Sequence, residues 1–294
     1  MQAEDTSASS ATAKVGTRVR PANALTVDVE EHFQVAAFER TIPRDDWDLK
    51  ESRVGPNTGR VLDLFAAHGC KATFFVLGWV AERHPALVKR IVAEGHELAS
   101  HGYEHTRIHQ FTPEQFRHDV TRTKRILEDV GGVPVRGYRA PSYSINANNL
   151  WALDVLHEAG HLYSSSIYPI RHDLYGMPDA PRFPFRFKPD GILEIPVTTV
   201  RLGGRNYPCG GGGYFRLLPY VAYRWMLSRV NELDGQPGLF YFHPWEIDPR
   251  QPRVSKAPLR SRFRHYLNLD SMHGRLGRLL TDFSWGRMDE VFGV

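Results

Sequence analysis

Short apolar runs alternate with amphipathic ones along more than 200 residues of this chain, and that alternation constrains the fold more than any other feature. The stretches NALTVDV (23–29), KATFFVLG (71–78), HELASH (96–101), VRGYRAP (135–141), HLYSSSIYP (161–169), GILEIPVTTV (191–200) and GLFYFHPWE (238–246) read as strands. Between them lie segments with helical spacing of apolar residues: TGRVLDLFAAHG (58–69), PALVKRIVAEG (85–95), TPEQFRHDVTRTKRILEDVGG (112–132), NANNLWALDVLHEAG (146–160) and LPYVAYRWMLSRVNEL (218–233). Thr112 is placed to cap the third of these, and Gly69 and Gly95 to end the first two. Repeated strand–helix units predict an α/β domain with a mostly parallel sheet. About seven units fit, which suits a barrel better than a short open sheet. The stretch after residue 250 is rich in Pro and Arg and then helical, with Met272, Leu276, Leu279, Leu280 and Phe283 on one stripe. We therefore expect a leader at 1–21, a barrel at 22–250 and a C-terminal extension at 251–294 that packs on the barrel.

Polar residues gather at the ends of the predicted strands: Asp28, Glu30, Glu31 and His32 after the first, then His101, Arg139 and His243. In a parallel barrel that edge carries the chemistry. His101 and His105, in SHGYEH, are four apart, a spacing that on one helical turn points both imidazoles the same way. Two neutral imidazoles and one carboxylate from the acidic cluster would hold a divalent ion with positions left open for water and substrate. Such a donor set suits zinc and tolerates cobalt or nickel.

Composition narrows the alternatives. With 41% hydrophobic and 24% charged residues, the chain is able to bury a sizeable core. No run approaches the roughly 18 apolar residues of a membrane helix, and the start lacks a secretory h-region. A disordered leader and a cytoplasmic location are expected, unless a signal has been removed. Cys70 and Cys209 have no cysteine neighbour of metal-binding spacing and are expected to be free thiols, with Cys209 a minor candidate nucleophile. Residues 250–294 carry nine Lys or Arg against four acids, so this tail is +5 and the remainder −1. The tail is either a solvated face or an attraction to an anionic polymer, lipid phosphate or membrane surface. No nucleic-acid motif accompanies the charge, so no nucleic acid is expected as partner.

The blocks TVDVEEHF, SHGYEH, YRAPSYS, YSSSIYPI and YFHPWEID occur in an order that resembles the motifs of NodB-type polysaccharide deacetylases (carbohydrate esterase family four). Their wording, with RHYLNLDS and GRLGRLLTDFSWGRM, is similar to the exosortase-associated subgroup of exopolysaccharide loci. The resemblance implies a distorted (β/α) barrel and metal-dependent removal of acetyl groups from N-acetylated sugars. By position, Asp28 matches the general base, and Glu30, His101 and His105 match the metal ligands. Glu30 shares a strand face with Asp28, whereas Glu31 should point away. His32 is expected behind the ligands or in the groove. Arg139 matches the arginine that pairs with the base, and a neighbouring guanidinium favours an ionised, oriented carboxylate. Pro141 shapes the turn in which the backbone N–H near Ser142 would bind the oxyanion. His243 matches the acid that protonates the leaving amine. Tyr143 and Trp245, with Tyr103, Tyr168, Tyr214 and Phe215, are candidates for a sugar platform, and GGRNYPCGGGGYFR for a flexible loop beside it.

Two departures from the pattern are visible. Gly102 stands where a hydroxyl residue is usual, and Ser164 where the family has the aspartate that tunes the acid histidine; Asp248 is a possible replacement for that aspartate. The expected function is release of acetate from N-acetylhexosamine units of an exopolysaccharide or its lipid-linked precursor. Hydrolysis of a non-sugar amide or cyclic imide, and carbohydrate binding with weak catalysis, are the alternatives. Oligomeric state is left open.

Overall fold

The computed structural model describes residues 21–172 and 175–294, so the expected leader lies, apart from Pro21, outside the described residues. The strands are β1 Asn23–Val29, β2 Thr73–Val76, β3 Glu97–Ser100, β4 Gly137–Tyr138, β5 Tyr163–Ser164, β6 Leu193–Glu194, β7 Thr199–Leu202, β8 Arg205–Pro208, β9 Leu239–Phe242 and β10 Trp285–Gly286. The helices are α1 Val54–Ala67, α2 Gly78–Arg83, α3 Pro85–Ala93, α4 Pro113–Gly131, α5 Trp151–Glu158, α6 Gly212–Leu217, α7 Tyr220–Arg229, α8 Leu259–Tyr266, α9 Leu269–Asp282 and α10 Met288–Phe292. Among the described residues no helix is long and apolar enough to cross a membrane.

Seven parallel strands in the order β9-β1-β2-β3-β4-β5-β6 curl into a distorted half-barrel, with helices outside. Both faces of β1 are buried, and four of its seven residues (Ala24, Leu25, Val27 and Val29) are apolar. Leu25, Val27 and Val29 face outward against α1 and α9, in one cluster with Val61, Phe65, Leu276 and Leu279. Residues of opposite parity face inward, where Ala24 joins Phe75, Tyr163 and Tyr241. The same alternation carries Thr26 and Asp28 inside.

Among the described residues no ladder joins β6 to β9, and the chain after β6 fills that seam. GILEIPVTTV is two strands rather than one, because β6 ends at Glu194 and β7 starts at Thr199. The glycine-rich stretch is not a loop throughout. Gly203 and Gly204, at φ 53° and 78°, form the tight turn of the antiparallel β7–β8 hairpin. Gly210 and Gly211 then lie directly against β9. The Tyr241 N–H donates to the Gly210 carbonyl at 2.7 Å, and a Cβ on Gly211 would meet the Tyr241 ring at 2.7 Å.

The C-terminal segment is part of this architecture. Thr112 caps α4 as its place in the sequence requires, and the five residues of the apolar stripe, four on α9 and Phe283 just after it, are all buried. β10 then adds to β1 at Asn23 and Ala24. Met288 enters the lower end of the barrel, its N–H donating to Thr73 Oγ1 at 2.8 Å. Leu276→Ala should therefore destabilise the whole domain by about 2–5 kcal/mol, the usual loss for a fully buried leucine. Denaturant unfolding followed by tryptophan fluorescence should show one shifted transition. An unchanged midpoint would mean that α9 is not part of the cooperative core.

Candidate active site

Adjacent parallel strands bring their C-terminal ends together. β9, β1, β2, β3 and β4 are consecutive neighbours, so His243 after β9, Asp28 and Glu30 at the end of β1, His101 after β3 and Arg139 after β4 share one edge of the sheet. All except His243 are buried. They open onto a cavity of about 490 Å³, whose lining includes Asp28, Glu30, His101, His105, Ser142, Tyr143, His243 and Trp245. Glu31 turns the other way. Its carboxylate accepts the Arg53 N–H at 3.0 and 3.1 Å and the Ser52 hydroxyl at 2.5 Å, next to the first turn of α1. His32 is buried against Phe33, and its Nδ1 has no hydrogen-bond partner.

Glu30, His101 and His105 each offer a ligand atom, and these atoms lie within 4.8 Å of one another. Burial holds the His101 imidazole neutral, its pKa pushed down to about 4. Its Nδ1 lies 2.8 Å from the Arg139 carbonyl; with Nδ1–H as the donor, Nε2 keeps its lone pair. Burial opposes charge on Glu30, but His105 and then His243 outweigh it and hold the carboxyl well below the usual range. Glu30 Oε2 is 2.9 Å from His105 Nε2, yet no well-directed hydrogen bond reaches it. A buried carboxylate oxygen without a donor, beside two imidazoles, is the donor set and the electrostatic deficit that a divalent cation satisfies.

The two histidines do not reach this arrangement from a helical turn. Residues 101–105 form an irregular loop after β3, with Gly102 at φ 75° and His105 at φ 60°. Gly102 is therefore favoured by its backbone, and a Cβ there would also press on Asp119 Oδ2 at 3.3 Å. A hydroxyl is nonetheless present, because Ser100 Oγ accepts the Gly102 N–H at 3.3 Å.

Arg139 is wholly buried. Its Nη1 donates to Asp28 Oδ1 at 2.5 Å and to Thr26 Oγ1 at 2.8 Å, and its Nε to the Ser165 carbonyl at 3.3 Å. After Pro141 the chain turns through two left-handed residues, Ser142 at φ 54° and Tyr143 at φ 50°, a conformation that costs roughly 1–2 kcal/mol per residue. The Tyr143 ring packs on Tyr241 at 4.8 Å.

His243 Nε2 faces Glu30 Oε1 at 3.5 Å and Asp28 Oδ2 at 4.0 Å. Its Nδ1 contacts Glu246 Oε1 at 2.8 Å, and Glu246 Oε2 accepts Arg216 Nε at 2.7 Å. Burial pulls the His243 pKa down, but Glu30, Glu246 and Asp28 raise it to about 9. Trp245 donates from Nε1 to Glu30 Oε1 at 3.2 Å and stacks on His243 at 5.1 Å. Asp248, offered as one possible replacement acid, is not in this network; it pairs with Arg53 at 2.5 Å and Asn57 at 3.2 Å. Ser164 is buried and bonds Ser166 at 2.8 Å. Sequence reasoning missed Glu246 and Arg216. The H-x-x-E spacing was a usable signal, since one short turn returns the acid to the histidine backbone N–H at 3.0 Å.

Of the candidate platform aromatics, Tyr143, Tyr214 and Trp245 line the cavity, and Tyr175 and Tyr241 join them. Tyr168 and Phe215 are core residues, and the Tyr103 hydroxyl turns to Glu82 at 2.7 Å. Cys209 is fully buried with its thiol pushed up to about 12 by burial, which removes it as a nucleophile.

The polysaccharide deacetylase family matches residues 45–162, and a domain of unknown function (DUF3473) matches residues 165–293. A peptidoglycan-N-acetylglucosamine deacetylase of Bacillus cereus is 37% identical over 98 residues, 33% of this chain and 36% of that one. A chitooligosaccharide deacetylase of Rhizobium leguminosarum bv. trifolii is 40% identical over 76 residues, 25% of this chain and 35% of that one. The chain thus spans about a third of the length of these relatives. In fold it is similar to a candidate polysaccharide deacetylase from Mycobacterium smegmatis, with a TM-score of 0.61, 19% identity, and coverage of 95% of this chain and 91% of the other. Residues 45–162 thus carry the match to the polysaccharide deacetylase family, and the barrel built around them is similar in fold to the Mycobacterium smegmatis protein.

Proposed function

We propose that this protein is a metal-dependent hydrolase that removes N-acetyl groups from N-acetylhexosamine residues of an exopolysaccharide or its lipid-linked precursor. The observation that carries this reading is the meeting of Glu30, His101 and His105 in one cavity with an arginine-held carboxylate, Asp28, and a carboxylate-held imidazole, His243. Two imidazoles and a carboxylate suit zinc best, with cobalt or nickel as substitutes. When bound, such an ion acidifies water and polarises the acetamide carbonyl.

The chain's own residues account for the proton movements. Asp28, fixed by Arg139, takes a proton from the attacking water as its oxygen adds to the acetyl carbon. Ser142 contributes its backbone N–H to the oxyanion. His243 gives the Nε2 proton to the amine nitrogen as the C–N bond breaks, so acetate and a free amine leave. The aromatic lining of the cavity supports a sugar as the bound group. Between Asp248 and Asp270 the chain has six Lys or Arg and no acid, and α8 from this stretch lines the cavity with Arg260 and Arg264. That charge supports a substrate that is anionic or carried at an anionic surface.

Zinc-loaded protein should release acetate from an N-acetylglucosamine tetramer, and chelation should abolish release. Asp28→Asn should lower kcat by about 10²–10⁴, the range for a lost acid–base group. Ring opening of small cyclic imides without acetate release would replace this reading, and tetramer binding with no acetate above the Asp28→Asn control would make it a binding protein.

Glu30 is the strongest of the charges that raise the His243 pKa, and a cation sharing Glu30 weakens that effect. Zinc should therefore lower the His243 pKa below about 9, measured by NMR titration of the imidazole. Because the folded value in the ion-free protein lies above the ordinary 6.5, this proton's stabilisation is complete below about pH 6.5 and is lost as pH rises through about 9. The melting temperature of ion-free protein should fall over that window, and fall less in His243→Gln. Equal falls would rule out this histidine as the source.

A further inference from the structure

The stretch of unknown function, 165–293, contains His243, Arg216 and Gly212, the residues that hold Glu246, and the contacts form one continuous chain. Glu246 is buried, and its Oε1 lies 3.0 Å from the His243 N–H and 2.8 Å from Nδ1. An imidazole that donates from Nδ1 to Glu246 presents Nε2 to Glu30 and Asp28, the side on which substrate must lie. The other carboxylate oxygen takes Arg216 Nε at 2.7 Å. Arg216 is equally buried, and its remaining donors end on backbone carbonyls at the C-terminal turn of α8: Nη1 on His265 at 3.1 Å and on Leu267, Nη2 on Arg264 at 3.2 Å. Those carbonyls are the groups a helix leaves unpaired at its end, and a guanidinium fork satisfies several at once.

A second contact runs in parallel. His265 of α8 stacks on Trp245 at 4.1 Å with a 12° tilt, and Trp245 stacks on His243. Nε2 of His265 is tied to Gln251 Oε1 at 2.7 Å, so this ring is itself fixed. The packing also leaves Glu246 no alternative position. Gly212 lies against it so closely that a Cβ would fall 2.4 and 2.5 Å from its two oxygens.

We propose that Glu246 is the positioning carboxylate of the acid histidine in this protein, held by Arg216, and that the segment around α8 serves to lock that pair. The role given in the family to an aspartate at the place of Ser164 has moved into the same turn as the histidine. The segment of unknown function is then the half of the active site that delivers the proton to the leaving group. This inference rests on the deacetylase reading, and its test separates the two.

Glu246→Gln keeps the size of the side chain but removes its charge, and Gly212→Ala keeps both charges while displacing the carboxylate. Both would be assayed as full-length zinc-loaded protein on the N-acetylglucosamine tetramer and on 4-nitrophenyl acetate, whose phenolate departs without a proton. Each variant should lose about 10²-fold in kcat on the tetramer, the scale of a misplaced general acid, with KM changed less than about threefold. On the ester the loss should stay below about threefold, and zinc content should be unchanged. Arg216→Lys, which replaces the fork by one ammonium, should show the same split with a smaller loss. Equal losses on both substrates, or none on the tetramer, would overturn the proposal. If wild-type protein releases no acetate from the tetramer, the deacetylase reading fails. The pairing itself is then judged by NMR: the hydrogen-bonded Nδ1–H resonance of His243 should be present in wild type and absent in Glu246→Ala, which has no side-chain acceptor, and its persistence would overturn it.

Discussion

Arg139 is the interaction on which the site depends. A guanidinium with no exposed surface is costly to bury, and it is tolerated here because its neighbours satisfy it: Asp28, Thr26 and both the carbonyl and hydroxyl of Ser165, with the Phe75 ring at 4.0 Å beneath it. Removing one member of such a pair typically costs about 3–5 kcal/mol, because the other is left charged in the interior. The same residue acts through its backbone, since its carbonyl fixes the His101 ring. One position at the end of β4 thus orients both the carboxylate that would serve as base and an imidazole that would serve as ligand. The barrel supplies the reach: β4 and β1 are not neighbours, but the curl of the sheet lets a long side chain cross the interior between them.

Much of this was legible in the sequence because parallel strands expose their C-terminal ends on one edge. Once the strands ending at Asp28, His101, Arg139 and His243 were recognised, their meeting followed from the α/β pattern. The choice of Glu30 over Glu31 was legible for a related reason. Strand parity puts Asp28 and Glu30 on one side, and Glu31 is drawn to the start of α1. Less was legible where the backbone leaves regular structure. The His101–His105 spacing looked helical, but the loop depends on positive φ at Gly102 and at His105, and periodicity carries no information about that. The glycine-rich stretch looked flexible because glycine is permissive in isolation. In place, two of its glycines make a hairpin turn, and others are needed because strand and side-chain atoms leave no room for a Cβ.

The partner of His243 was missed for a further reason. A family pattern directs attention to the place where a residue is expected, and Ser164 occupies that place without a carboxylate. The compensating acid lies three residues beyond the histidine, where a capping-type turn returns it to the ring. The site is thereby divided along the chain. Asp28 and Glu30 precede the deacetylase match, His101, His105 and Arg139 lie inside it, and His243, Glu246 and Arg216 lie in the segment beyond.

The charges of the site also constrain how its parts work together. Asp28 is paired with Arg139 and Glu246 with Arg216, so each pair is internally balanced. Glu30 is the carboxylate without a guanidinium of its own, and His101 is neutral at ordinary pH. In the ion-free protein the proton on His243, retained to about pH 9, is a positive charge facing Glu30 at 3.5 Å, and His105 acts on the same carboxylate from 2.9 Å. A divalent cation held at Glu30 would compete with the His243 proton for that carboxylate. The direction of that competition would favour the proposed proton transfer. With Glu30's attraction taken up by a cation, the His243 pKa would move down from about 9, toward the range in which an imidazole both holds a proton and gives it up readily. Glu246, 2.8 Å from Nδ1, would still favour the protonated ring, which is the physical reason for a second carboxylate behind the proposed acid.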